Sequence, residues 1–253
     1  MNFWWKWKYR LAGALRLDLT HTQVQYARFL AAHVTPGVRW LEVGCGRHIV
    51  PEWAIKMPEQ RTWAERASLL AGIDVDSAIA EHPLLNMRVY GLAGTLPFRP
   101  ASFDLISANM VAEHFPNPEE ILRDVHSTLS PGGRFIFHTP NYRYYLIRLA
   151  SWTPDTLKGW IVGLLERRRE EDRFQTFYLL NTRDQITRLA AQTGFEVETL
   201  RVQSSNGSFG EVGPAGWLEC FILKLLTKLN GGEWNSNLVV CLRKPAHTEK
   251  SVP

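Results

Sequence analysis

Cysteine is scarce in this 253-residue chain: Cys45, Cys220 and Cys241 are widely spaced and odd in number. This argues against a disulfide framework and against the paired spacing of a zinc cluster, so three free thiols and no metal are expected. No run reaches the roughly 18 apolar residues of a membrane-spanning helix. The N-terminus lacks the apolar stretch and small-residue cleavage site of a secretory signal, and a cytoplasmic location is the default expectation. Neither an internal repeat nor a recognised nucleic-acid-binding module is visible, so nucleic acid is not an expected partner.

What is present describes a globular chain. A hydrophobic fraction of 45% and a charged fraction of 21% suit one αβ domain with decorations, long enough to bury a sizeable core. Charge is uneven: residues 1 to 37 carry Lys6, Lys8, Arg10, Arg16 and Arg28 against Asp18, a net +4 that equals that of the whole chain. The opening FWWKWKYR interleaves aromatics with cations, and GWLECFILKLLTKL (216 to 229) reads as an apolar helix carrying Lys224 and Lys228. Both suit the polar boundary of a bilayer, or else cover the sheet and its site. RRREEDR (167 to 173) mixes both signs and reads as a solvated segment.

The informative feature is VRWLEVGCG (38 to 46), an apolar strand that runs into a glycine turn with Glu42 two residues before Gly44. A turn of Gly44, Cys45 and Gly46 lets the backbone bend sharply and approach a ligand closely. LLAGIDVD then delivers Asp74 and Asp76 about 28 residues beyond the turn, where an acid can accept both hydroxyls of a ribose. A cap role is the alternative for either acid and the preferred one for Asp76. Strands follow at NMRVY, SFDLISANM and RFIFHTPN, with a helix between the last two started by Asn117 or Pro118 and stopped by Pro131-Gly132-Gly133. Later, Asn181 or Thr182 caps a helix that ends at Gly194, EVETLRVQ supplies a sixth strand, and NLVVCLRK (237 to 244) supplies the last. Strands alternating with helices imply a parallel sheet whose ligand crevice lies at the strands' carboxyl ends. A dinucleotide would need a third glycine at the start of a helix, and position 49 is isoleucine.

EVGCG, GIDVD, LPFRPASFD, EHF, LSPGG and HTPN occur in an order and spacing that resembles the class I S-adenosylmethionine-dependent methyltransferases, in particular the broad bacterial subgroup acting on small molecules, lipids and sugars. The resemblance covers residues 36 to 142 well. It implies an α/β, Rossmann-like, doubly wound, seven-stranded and mostly parallel sheet with helices on both faces. It also implies S-adenosylmethionine as cofactor and S-adenosylhomocysteine as product. By the same resemblance Glu42 lies near the methionine amino group, and Gly44, Cys45 and Gly46 pass the methionine part. Asp74, with Val75 beside it, holds the ribose; Leu92, Ala93 and Gly94 frame the adenine; Asn109 and Met110 line the methyl-transfer side. The chain departs from the family in having His48 where a third glycine is common and Leu92 where an acid is common. MVAEH (110 to 114) lacks the first ligand of the metal motif ExxEH found in some relatives.

A sulfonium methyl is already electrophilic, so the protein mainly has to align the acceptor and exclude water. An alcohol acceptor benefits from a base, and histidine suits that role near neutral pH. His114 is the preferred candidate and His138 the second; the bland alternative for each is a loop or cap hydrogen bond. Tyr142 and Tyr178, with Tyr144 and Tyr145, are candidates to line the acceptor pocket or simply to pack. Arg47 either neutralises an acidic group or is surface.

The expected organisation is an N-terminal helical cap (1–37), a catalytic domain (38–245) with a helical lid insertion (142–180), and a polar tail (246–253). The expected activity is O-methylation of a small-molecule, sugar or lipid-linked acceptor, with peripheral membrane contact as a further expectation. Nitrogen or carbon acceptors, a noncatalytic cofactor-binding module and a membrane-associated interaction protein are the alternatives. No motif encodes the oligomeric state.

Overall fold

Strand formation follows the apolar runs closely. In the computed structural model, which describes residues 3–15, 17–145, 174–203 and 214–246, seven strands form one sheet in the order β3-β2-β1-β4-β5-β7-β6. They are β1 (Arg39–Val43), β2 (Leu69–Asp74), β3 (Met87–Tyr90), β4 (Phe103–Asn109), β5 (Leu129–Pro140), β6 (Glu196–Gln203) and β7 (Asn237–Arg243). β1 pairs in parallel with β2 and β4, β2 with β3, and β4 with β5. Reciprocal backbone bonds from Gly132 N to Lys244 O and from Lys244 N to Gly133 O, both 2.9 Å, set β7 antiparallel to β5. The sheet is therefore the expected seven-stranded one, and its strand order reverses at β1, which lies between β2 and β4.

Helices α1 (Phe3–Ala14), α2 (Thr22–Ala31), α3 (Met57–Arg66), α4 (Pro118–Thr128), α5 (Arg183–Gln192) and α6 (Pro214–Asn230) complete the described elements. Pro118 opens α4 with Glu119 and Glu120 in its first turn, where a proline's missing N–H costs nothing and acids meet the helix dipole favourably. Thr182 caps α5 by accepting from Gln185 N, and Gly194 ends it at φ +83°. One expectation needs correcting. Pro131-Gly132-Gly133 lies inside β5, which starts at Leu129, and the pairing with β4 slips between Phe103 and Leu105. The glycines serve a β-bulge, because a Cβ on Gly133 would stand 2.8 Å from Ser130 O.

Two compact units divide the described residues: one from Met1–Thr22, Pro140–Thr176 and Val202–Leu238, the other from Gln23–Thr139, Phe177–Arg201 and Val239–Pro253. In the larger unit α2 and α3 bring Tyr26, Leu30 and Trp63 onto Trp40, Leu70, Leu105, Ile136 and Val239, forming the main core on one sheet face. Leu41, Ile106, Phe135 and Phe137 are buried in the alternate register. In the smaller unit Ala12, Leu19 and Cys220 form a separate cluster. The expected lid falls outside the described residues over 146–173, as do RRREEDR within it and the tail from 247.

Candidate functional site

The glycine turn leaves β1 at the sheet's carboxyl edge with Gly44 at φ +65° and Gly46 at φ +47°. A Cβ on Gly44 would stand 2.4 Å from Val111 Cγ2, so position 44 admits no other residue without displacement; beside Gly46 there is open space. Cys45, between them, is buried against the core: its Sγ approaches Ile73 O at 4.0 Å, and a Cβ on Gly72 would collide with it at 2.7 Å. At this edge Cys45 therefore offers its backbone. No helix follows the turn. Residues 47–56 are irregular, and α3 starts only at Met57, so the turn carries no helix dipole of the kind that receives a pyrophosphate.

Gln60, fully buried on α3, holds that irregular segment in place. It accepts from Val50 N at 3.3 Å and donates to Val50 O and Ile55 O, both at 2.9 Å. Sequence reasoning missed this residue because a glutamine in an amphipathic helix carries no mark of what it will bind.

Asp74, the last residue of β2, braces the turn. Its Oδ2 accepts from Gly46 N and its Oδ1 from Asp76 N, each at 2.7 Å. Each oxygen keeps a further lone pair, so accepting from a ribose is compatible with the bracing. Val75 is half-buried beside it. Asp76 caps the following 3-10 turn through Ala78 N, the cap role preferred for it from sequence.

Glu42 is fully buried. Ser107, which is bonded also to the Trp40 indole, donates to its Oε2, whereas its Oε1 has no hydrogen-bond partner among the described residues. Burial pushes the Glu42 carboxyl up to about 8, with the bonds from Ser107 and Trp40 opposing that rise. A buried acid with one unsatisfied oxygen is costly by itself and fits a cationic ligand group.

The remaining candidates divide by position. After β3, Leu92 is 64% exposed with Ala93 and Gly94 beside it, and Gly91 N bonds Asp74 O at 2.9 Å, which hangs this loop next to the ribose candidate. Asn109 ends β4 and donates to Gln23 Oε1 at 2.9 Å; Met110 follows at φ +58°, its N–H bonded to His138 O at 2.8 Å. His138 itself is fully buried, with Nδ1 3.0 Å from Asn109 Oδ1 and its ring stacked on Tyr26 at 5.2 Å. This burial separates it from His114, the preferred base candidate, and places its ring against Asn109. His114 is half-buried on the 3-10 turn after β4, and Tyr178 N bonds the carbonyl of the adjacent Glu113 at 3.2 Å. Tyr142 is 51% exposed in the other unit, where Tyr144 is buried against Tyr145. Arg47 pairs with Glu81 at 3.0 Å on the surface. Supporting residues without a sequence signal include Ser107, Val111 and Gln23.

The unsatisfied Glu42 oxygen, the open space at Gly46 and the residual acceptor capacity of Asp74 together fit an S-adenosyl cofactor: an ammonium, a closely passing backbone and a ribose. Comparisons with known proteins agree. A family model described as a methyltransferase domain matches residues 19–200. The ubiquinone biosynthesis O-methyltransferase of Xanthomonas campestris pv. campestris is 31% identical over 114 residues, 45% of this chain and 48% of that protein. The chain thus spans about half the length of the curated relatives it matches. An S-adenosylmethionine-dependent methyltransferase from Mesorhizobium loti has a similar fold, with a TM-score of 0.56 at 17% identity over 87% of this chain and 97% of that one. Another, from Methanosarcina mazei, has a TM-score of 0.54 at 16% identity over 87% and 98%.

Proposed function

This chain belongs to the methyltransferase-domain family, and on that premise we propose that it methylates an oxygen of a small-molecule acceptor at the carboxyl edge of β1, β2 and β4. The observation that carries the reading is the glycine turn braced by Asp74 over a buried, half-satisfied Glu42. S-adenosylmethionine, when bound, would supply an electrophilic methyl carbon for that oxygen, with S-adenosylhomocysteine as the departing product.

Within this proposal Glu42 takes the cofactor's ammonium, Asp74 its ribose hydroxyls, and Leu92 to Gly94 one face of the adenine. Asn109 and Met110 line the reacting side, and His138 keeps Asn109 oriented as a positioning residue. His114 removes the acceptor's proton, with Tyr178 beside its turn to contact the acceptor. An oxygen acceptor is supported by that half-buried imidazole and by the name of the partial-length relatives. The test is transfer of an isotope-labelled methyl to a panel of phenols and alcohols. His114→Ala should cut kcat by about a hundredfold while leaving the cofactor Kd within about twofold. Parent-level turnover in that variant would remove His114 from the role, and transfer to amines or carbon acids alone would replace the oxygen reading.

A second feature favours an acceptor met at a bilayer surface. Leu218, Phe221, Leu225 and Leu229 recur along one face of α6 and are 54–70% exposed, with exposed Lys224 and Lys228 on the same helix. Such a stripe beside cations matches an anionic membrane surface. No helix among the described residues is long and apolar enough to cross a membrane, and the contact proposed for α6 is peripheral. Flotation with anionic vesicles should carry the protein upward, and Phe221→Asp with Leu225→Asp should leave it behind; equal flotation of both would dismiss the surface reading.

A further inference from the structure

Folding assembles a second cluster that the spacing of the cysteines conceals. His33, in the turn after α2, Glu198 on β6 and Cys241 on β7 each place one ligand-type atom within 4.8 Å of the others. The cluster lies away from the glycine turn. Arg134, which flanks it on β5, stands in register with Leu105 near the start of β4 and four residues before His138, about 13 Å back along the strand.

Three independent features suit metal binding. The donor set of imidazole, carboxylate and thiol matches zinc and similar divalent transition metals, and the two anionic ligands neutralise a dication. The supporting contacts are those that orient metal ligands. His33 Nδ1 donates to Phe29 O at 2.8 Å, which leaves the lone pair of a neutral ring on Nε2, and Arg134 grips Glu198 through Nε at 2.6 Å and Nη2 at 2.9 Å. The third feature is a cavity of about 410 Å3 beside His33, lined also by Thr35, Asp104 and Arg134, among others. Cys241 Sγ already faces Glu198 Oε2 at 3.2 Å.

We propose that His33, Glu198 and Cys241 bind a zinc-class divalent cation at the amino-terminal edge of the sheet, tying the end of α2 to β6 and β7. On binding, the Cys241 thiol releases its proton to solvent, and an Sγ–metal bond replaces the S–H···O bond to Glu198. Three protein ligands leave the fourth tetrahedral position for water.

The full chain, freed of metal with a chelator, is titrated with Co2+ and then with Zn2+. One equivalent of Co2+ should produce a thiolate-to-metal charge-transfer band that Zn2+ abolishes. The band should vanish in Cys241→Ser and persist in Cys45→Ser and Cys220→Ser. His33→Gln, at a half-buried turn position that leaves folding intact, should weaken the apparent Co2+ affinity at least about tenfold and abolish the zinc-dependent rise in Tm. A wild-type chain without a stoichiometric band, a band unaltered in Cys241→Ser, or undiminished affinity in His33→Gln would each overturn the site.

Discussion

At single residues of the glycine turn, one atom decides what the chain tolerates. Gly44 and Gly46 look alike in sequence and differ in surroundings: a Cβ collides with Val111 at the first and meets nothing at the second. Gly44→Ala should therefore lower stability by at least about 2 kcal/mol, from strain at positive φ plus the collision. Gly46→Ala should cost only about 1 kcal/mol and instead weaken cofactor binding, because the new methyl fills the approach. Chemical denaturation alongside calorimetry separates the two, and equal stability losses would refute the distinction. Glu42 sets a pH dependence. Its folded value of about 8 exceeds the 4.5 of a free glutamate, so between these values the folded state holds a proton that the unfolded state has lost. Stability should then fall as pH rises from about 4.5 to about 8 and level off above, and Glu42→Gln should flatten that slope in urea midpoints.

At the element scale the irregular stretch between the glycine turn and α3 depends on Gln60. Gln60→Ala leaves two carbonyls and one N–H buried without their partner, so a loss of about 2–4 kcal/mol is expected in denaturant titration, with a weaker cofactor Kd as the loop loosens. A loss below about 0.5 kcal/mol would show that the loop holds itself. Much of the architecture at this scale was legible in the sequence, because apolar runs ending in glycine or an acid define strands, and Pro118, Thr182 and Gly194 mark helix ends locally. The start of β5 was not legible: Pro-Gly-Gly is a turn signal everywhere except where a neighbouring strand bonds across it, and Lys244, more than a hundred positions away, does that. The site divides the same way. Glu42 and Asp74 at the ends of apolar strands, and Gly44 and Gly46 in the turn, are candidates from sequence alone, whereas Ser107 and Gln60 acquire meaning only through tertiary contacts. For His138, sequence shows the place at the strand's end and not the burial against Tyr26.

At the scale of the whole molecule, a parallel sheet with its switch point at β1 concentrates the cofactor candidates on one edge and leaves the opposite edge to the His33, Glu198 and Cys241 cluster. The family match frames the proposed methyl transfer, and in that proposal the acceptor is whatever reaches His114 and Tyr178. The most direct test is titration calorimetry of the wild-type chain and Asp74→Ala with S-adenosylmethionine. The wild type should bind one cofactor per chain and the variant at least about tenfold more weakly, with its fold intact by circular dichroism. An absence of binding heat at varied temperatures, or an identical Kd in the variant, would contradict a cofactor held between the glycine turn and the end of β2.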